Sequence, residues 1–197
     1  MKKGYILLIL VSILFIFSSC GGMGGAPGSD SKDTGINITY AYLEGQDAGT
    51  NTDDEVDVAI HLCSGGEYED GLFEHDAILH IGAQPTGFDD VFPANIDECK
   101  ITYLKAEENP DAPIIEARTL RPNCVIKKGD NECTIPAGIM DIDRKNKFYN
   151  DLLGLNFDTK YPTHYVVQYK CTYINQYGAK GSFETEYDIY LADWDNC

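Results

Sequence analysis

The sequence predicts an all-β domain, a sandwich of antiparallel strands with one short helix. Three observations predict it. Apolar and polar residues alternate with a period of two along several stretches, the pattern of a strand with one face buried. Polar, glycine-bearing turns separate those stretches at short intervals, which favours a sandwich or barrel. A single segment around Phe148 carries its apolar residues at helical spacing instead.

The elements follow in order. The first strand is expected over 36–43. Val56, Val58, Ile60 and Leu62 alternate with Asp57, Ala59 and His61; Ala77, Leu79 and Ile81 do the same across 75–82; Cys99, Ile101 and Tyr103 make another stripe. Short strands fit 114–120, 124–127 and 132–139. The helix starts at Asp141 or Asp143, either of which can cap it, shows Phe148, Tyr149, Leu152 and Leu153 on one face, and stops near Gly154. Its apolar face is expected to close one end of the sandwich. Tyr165, Val167, Tyr169, Cys171 and Tyr173 then point one way, and Phe183, Thr185, Tyr187, Ile189 and Leu191 answer them across the turn 175–181. These two runs predict a long antiparallel hairpin.

Ahead of this domain the composition changes. Met1-Lys2-Lys3 is basic, Tyr5 to Phe17 is apolar apart from Ser12, and Ser18-Ser19 precede Cys20. A basic start, a short apolar run and small residues at a cleavage point describe an export signal, and the run is too short to cross a bilayer. Phe17-Ser18-Ser19-Cys20 resembles the lipobox of bacterial lipoproteins, with Phe17 where Leu or Val is more usual. The resemblance implies cleavage before Cys20 and acylation of that cysteine, so that lipid holds the chain on a membrane. The next stretch is rich in Gly and Ser and cannot bury apolar surface, which makes it a tether. Three regions result: a signal over 1–19, the lipidated cysteine and tether over 20–35, and a β-sandwich domain over 36–197.

Charge narrows the partners. The chain of 197 residues has a formal net charge of −17, with 15 Lys+Arg against 32 Asp+Glu. Such a surface repels nucleic acid, which excludes that class of partner. Seven cysteines are present. Without Cys20, the even remainder in an exported chain predicts disulfides among Cys63, Cys99, Cys124, Cys133, Cys171 and Cys197, with about fifteen pairings open. There is no Cys-x-x-Cys, and no Cys/His spacing of a structural zinc site.

Acids gather in loops: Asp53-Asp54-Glu55, Glu67-Glu69-Asp70, Asp89-Asp90, Asp141-Asp143 and Asp193-Asp195. Calcium takes six to eight oxygen ligands from such loops, and Asp53, Asp54, Asp141 and Asp143 are its candidates, although no ordered calcium-loop motif occurs. Solvated acidic loops are the plainer reading. His61, His75, His80 and His164 are expected as separate side chains, because His75 and His80 fall on opposite sides of one strand. Paired carboxylates as in glycosidases are available, but nothing singles a pair out. Gly-x-Ser-x-Gly is absent. The chain has 13 Tyr and 8 Phe; Tyr40, Tyr42, Tyr173, Tyr177 and Tyr190 are candidates for positions outside the core, where tyrosines form glycan- or protein-binding faces. Simple suitability for strands explains most of the others.

The run Asp141-Ile142-Asp143-Arg144-Lys145-Asn146, the helix after it, Tyr161-Pro162-Thr163 and the closing hairpin to Asp195-Asn196-Cys197 resemble a group of uncharacterised bacterial lipoproteins. These have a Gly-rich tether and an immunoglobulin-like β-sandwich. The resemblance implies that fold and the anchor, and no catalytic activity. It also implies a bridge between Cys63 and Cys197. A tight turn at Lys128-Gly129 sets Cys124 opposite Cys133, and Cys99 with Cys171 remains by elimination. The expected function is therefore a non-enzymatic, lipid-anchored module at the outer membrane or cell surface, with a structural or interaction role toward an envelope protein or glycan. A calcium- or glycan-binding module and a carboxylate-dependent hydrolase are the alternatives.

Overall fold

The computed structural model describes residues 31–46, 54–59, 66, 72–87, 90–154 and 162–193. The export signal, Cys20, Asp53, His61, Cys63 and Cys197 lie outside them. A short helix α1 (Ser31–Thr34) leads into β1 (Ile36–Gln46). Then come β2 (Glu55–Asp57), β3 (Asp76–Pro85), β4 (Ala94–Lys105), β5 (Arg118–Leu120), β6 (Cys124–Ile126) and β7 (Glu132–Pro136). Helix α2 (Ile142–Gly154) precedes the hairpin of β8 (Thr163–Ile174) and β9 (Lys180–Ala192). Two sheets result. The smaller has the order β1-β3-β7; the larger runs β2-β9-β8-β4-β5, with β6 also on β4. Every pairing is antiparallel except β2 with β9. The protein is an all-β sandwich with one substantial helix.

The core lies between the sheets. Ile36, Ile38, Ala41, Leu43, Leu79 and Ile81 come from one side; Ile101, Tyr165, Val167, Tyr169, Phe183 and Ile189 come from the other, and all are buried. In two strands the inward residues change parity. Along β1 they are Ile36 and Ile38, then Ala41 and Leu43; along β4 they are Ala94 and Ile96, then Cys99 and Ile101. A register shift accounts for each, between Ile38 and Tyr40 and between Ile96 and Glu98. An extra residue in one strand reverses which side chains face inward beyond it.

The strands are shorter than the pattern predicts in several places; the stripe that starts at Val56 is strand only to Asp57, with Val58 and Ala59 beyond it. Of the 114–120 run only Arg118–Leu120 pairs, and Ile114 stays 76% exposed. There the Arg144 side chain serves backbone acceptors that a neighbouring strand would otherwise serve, donating to the carbonyls of Glu116 (2.9 Å) and Ala117 (3.4 Å). Strand β6 ends at Ile126, one residue short. Strand β7 ends at Pro136, which has no N–H for the ladder; the chain still follows β3, since Ala77 and Ala137 exchange backbone bonds.

Helix α2 is capped by Asp141, whose Oδ1 accepts the Arg144 N–H at 2.9 Å. Asp143 sits exposed in the first turn. Phe148 is buried edge-on against Tyr165, with centroids 5.9 Å apart, and contributes roughly 2 kcal/mol through its burial. Tyr149 and Leu152 pack beside it, but Leu153 is 68% exposed. The inward position one turn before Phe148 belongs to Lys145, a buried residue whose charge hides it from an apolar pattern.

The described disulfides join Cys99 to Cys171 and Cys124 to Cys133. The first links directly opposed residues of β4 and β8 within the larger sheet. The second fastens β6 of the larger sheet to β7 of the smaller one.

Candidate functional site

Among the described residues the acids do not gather into a cation site. Asp141 receives the Arg144 guanidinium and lies 3.7 Å from that of Arg118, so its carboxylate is committed to two cations of the protein itself as well as to the helix cap. The calcium candidate Asp141 is thus placed as an ion-pair and capping residue. Asp143 projects beside it without joining the ion pairs; Asp54 adjoins the parallel β2–β9 pairing, its carbonyl accepting the Tyr190 N–H. Among the described residues no group of three or more His, Cys, Asp or Glu is placed to hold a metal. The described histidines do not converge: His75 is buried beside Met140, whereas His80 lies on the outer face of the smaller sheet and His164 on that of the larger.

The end of the sandwich beside α2 is polar instead. Arg118 and the Tyr169 hydroxyl (3.0 Å) both donate to the Gly138 carbonyl, and the Tyr103 hydroxyl donates to that of Ile139 at 2.7 Å. Burial pushes the Lys145 amine down to about 8, and the charges of Asp57 and Asp76 offset only part of that. Burial likewise holds the Tyr165 and Tyr169 phenols well above their ordinary value. Arg118, Tyr103, Tyr165 and Tyr169 hold loop carbonyls in place.

The tyrosines separate into two sets. Tyr173 is fully buried, against expectation. Its ring covers Gly181 opposite, where a Cβ would stand 2.4 Å from a ring carbon, and its hydroxyl donates to the Ile36 carbonyl (3.1 Å) and meets the Thr34 hydroxyl (3.0 Å). Tyr177 is exposed in the turn between β8 and β9. Tyr40 and Tyr42 stand on the outer face of the smaller sheet, put there by the register shift before Tyr40. Without it the even-numbered residues after Ile38 would continue inward.

That outer face carries a row of rings. Tyr40 lies over Gly82, its cross-strand partner, where a Cβ would come within 2.2 Å of the ring. Tyr42 stacks on His80, also its cross-strand partner, with centroids 4.8 Å apart and planes 7° from parallel. The centroids of Tyr40 and Tyr42 are 5.8 Å apart. A carboxylate flanks each end: Glu132 accepts the Tyr40 hydroxyl at 3.1 Å, and Glu44 meets His80 Nε2 at 2.9 Å. Burial, followed by the bond to Glu132, raises the Tyr40 phenol above its ordinary value. Tyr42 keeps 48% of its surface exposed.

The opposite face holds a similar ring pair in another setting. His164 stacks on Tyr190 (4.6 Å, 18°), and its two nitrogens meet Glu108 Oε1 at 2.8 Å and Asp188 Oδ1 at 2.7 Å. Burial disfavours the charged ring, yet the bonds to Glu108 and Asp188 and their charges outweigh it, so the imidazole is held above the ordinary histidine value.

Comparison with family models, with curated proteins and with solved structures finds no match. Function is therefore argued from this chain's own residues. Among the described residues, the Tyr40–Tyr42–His80 row offers a ligand exposed aromatic area beside acceptor oxygens. Single-sequence patterning named Tyr40 and Tyr42, but not His80 or Gly82 as their partners, because register is invisible until strands are paired.

Proposed function

We propose that the chain is an exported, lipid-anchored β-sandwich module, immunoglobulin-like by resemblance, that works by binding rather than by catalysis. Its outer-sheet row of Tyr40, Tyr42 and His80 is the contact surface. The export-type N-terminus, the lipobox-like cysteine and the glycine-rich tether support delivery to the outer membrane or cell surface, where the tether lets the domain stand clear of the lipid. The observation that carries the binding role is Tyr42 itself: a large amphipathic side chain, stacked in place, left nearly half exposed, and turned outward by a register shift. Rings held in position lose little freedom when a partner covers them.

The test places a photo-crosslinking amino acid at Tyr42, and separately at Glu186 on the opposite face, in cells that make the protein. The expected result is a discrete adduct from position 42 and none from 186. Adducts at neither position, or the same adducts at both, overturn the reading. Cys20→Ala is expected to release the protein from membranes; retention there would remove the anchor from the proposal.

A further inference from the structure

The strands beneath the ring row are unusual in their charge. Across β1, β3 and β7 there are Glu44, Asp76 and Glu132, and no Lys or Arg at all. The outer face of the larger sheet pairs several of its acids with cations, with Lys170 on Glu184 at 2.6 Å, Arg121 near Glu98 at 3.6 Å, and His164 between Glu108 and Asp188. On the smaller sheet, among the described residues, Glu132 has a phenol as its partner and Glu44 the His80 ring, and the Glu44 side chain remains 58% exposed. Rings beside carboxylates without a fixed cation form an environment that attracts one. A cation is drawn to an aromatic face by the ring quadrupole and to the carboxylates by charge, and a planar guanidinium satisfies both.

From this the geometry points to a basic occupant: the outer face of the smaller sheet docks an arginine- or lysine-bearing segment of a protein partner. Tyr42 and Tyr40 take the cation's flanks, and Glu44 and Glu132 take its charge. The chain's net charge of −17 adds long-range attraction for such a partner and none for a neutral one. A sugar fits less well. It can stack on a ring as a guanidinium can, but being neutral it gains nothing from the charges of Glu44 and Glu132 or from the long-range field. The inference rests on the proposed binding role and specifies its partner.

The experiment titrates the full chain, in detergent micelles, with a fluorescent arginine–glycine repeat peptide. The comparison probes are the same peptide with Gln for Arg and a neutral chito-oligosaccharide. Saturable binding of the arginine peptide is expected, weakening as salt rises. Tyr42→Ala, and Glu44→Gln combined with Glu132→Gln, are each expected to weaken it about tenfold. Equal charge removal on the opposite face, Asp97→Asn with Glu186→Gln, is expected to change it less than about twofold. Thermal melts confirm that each variant is folded. Equal weakening by both double variants overturns the inference, since the peptide would then read only the overall field. Equal binding of the glutamine peptide, binding of the oligosaccharide in place of the arginine peptide, or no binding of any probe also overturns it. In each of those cases a discrete photo-adduct at position 42 leaves the binding role standing, and its absence removes both.

Discussion

The two outer faces of the sandwich are built from the same parts and use them differently. Each has a histidine stacked on the tyrosine directly across from it, with carboxylates at hand. On the larger sheet the pair is closed: His164 spends both nitrogens on Glu108 and Asp188, and the strands around it are linked by Lys170–Glu184 and by Gln168 donating to Glu186 at 2.9 Å. On the smaller sheet the pair is open: His80 has one carboxylate partner, and Tyr42 faces solvent. A face whose polar groups are mutually satisfied gives a partner little to compete for. A face whose rings and acids are half-satisfied keeps capacity for one. The proposed division of roles, stability in the larger sheet and recognition in the smaller, rests on this contrast.

The largest expected effect concerns how each sheet is braced. Cys99–Cys171 closes a loop 72 residues apart in sequence within the larger sheet, whereas Cys124–Cys133 spans 9 residues and ties the two sheets together. If the stabilisation follows the entropy lost from the unfolded chain, replacing the first pair by alanine costs about 4 kcal/mol and the second about 2.5 kcal/mol. Urea midpoints of the two double variants check the order. The reverse order would mean that the link between sheets outweighs the brace within one, and would undercut the division of roles.

Much of this architecture is legible in the chain, and what is not has physical reasons. The β8–β9 hairpin is plain, because its inward stripes run unbroken for ten residues or more and its turn is closed by Asn175 Oδ1 accepting the Tyr177 and Ala179 N–H groups. The helix is equally plain, its cap narrowed by sequence to Asp141 or Asp143 and decided by the bond from the Arg144 N–H. Strand β1 is legible as a strand but not in its facing, because the register shift reverses parity part-way along. Leu153 and Lys145 are misjudged for complementary reasons: an apolar residue sits just past the inward arc, and a charged one sits on it. That Asp141 is shared between Arg144, one helical turn on, and Arg118, distant in sequence, shows only once the chain is folded. The ring row could be read only as scattered tyrosines, since Tyr42 and His80 become neighbours through register alone.

The next effect separates the two histidines. His164→Ala removes two hydrogen bonds to carboxylates and a stacked ring, and is expected to cost about 1–2 kcal/mol. His80→Ala removes one bond to a largely exposed glutamate and the ring stacked on Tyr42, and is expected to cost about 0.5–1 kcal/mol. pH sharpens this. The folded His164 holds its proton above the unfolded value of about 6.5, so its contribution is fully present below that pH and fades as pH rises through the raised folded value. The stability gap between the protein and His164→Gln is therefore expected to be wider at about pH 5.5 than at about pH 8. Lys145 acts in the opposite sense at higher pH: its amine, lowered to about 8 in the fold, makes stability rise between there and about 10.5. Chemical denaturation of both proteins across the lower window checks the histidine alone. A gap that widens with pH would show that the clamp favours the neutral ring and that the closed face is not closed by charge.

The smallest expected effect on stability is the most informative for function. Tyr42→Ala removes a ring that rests on His80 and is otherwise half in water. A stacked pair of this kind contributes about 0.5–1.5 kcal/mol beyond area when buried, and the exposed position takes it toward the lower end. The expected loss is about 0.5 kcal/mol, against the several kilocalories of the disulfides. Tyr190→Ala, its counterpart on the closed face, is expected to cost at least twice as much, because Tyr190 supports the ring that Glu108 and Asp188 grip. Thermal melts of the two variants measure the difference. Equal losses would make Tyr42 an ordinary strand residue placed for packing. A near-neutral Tyr42→Ala beside a costly Tyr190→Ala would mean that the open face holds a tyrosine the fold does not need, and that the register shift which turns it outward serves contact with something else.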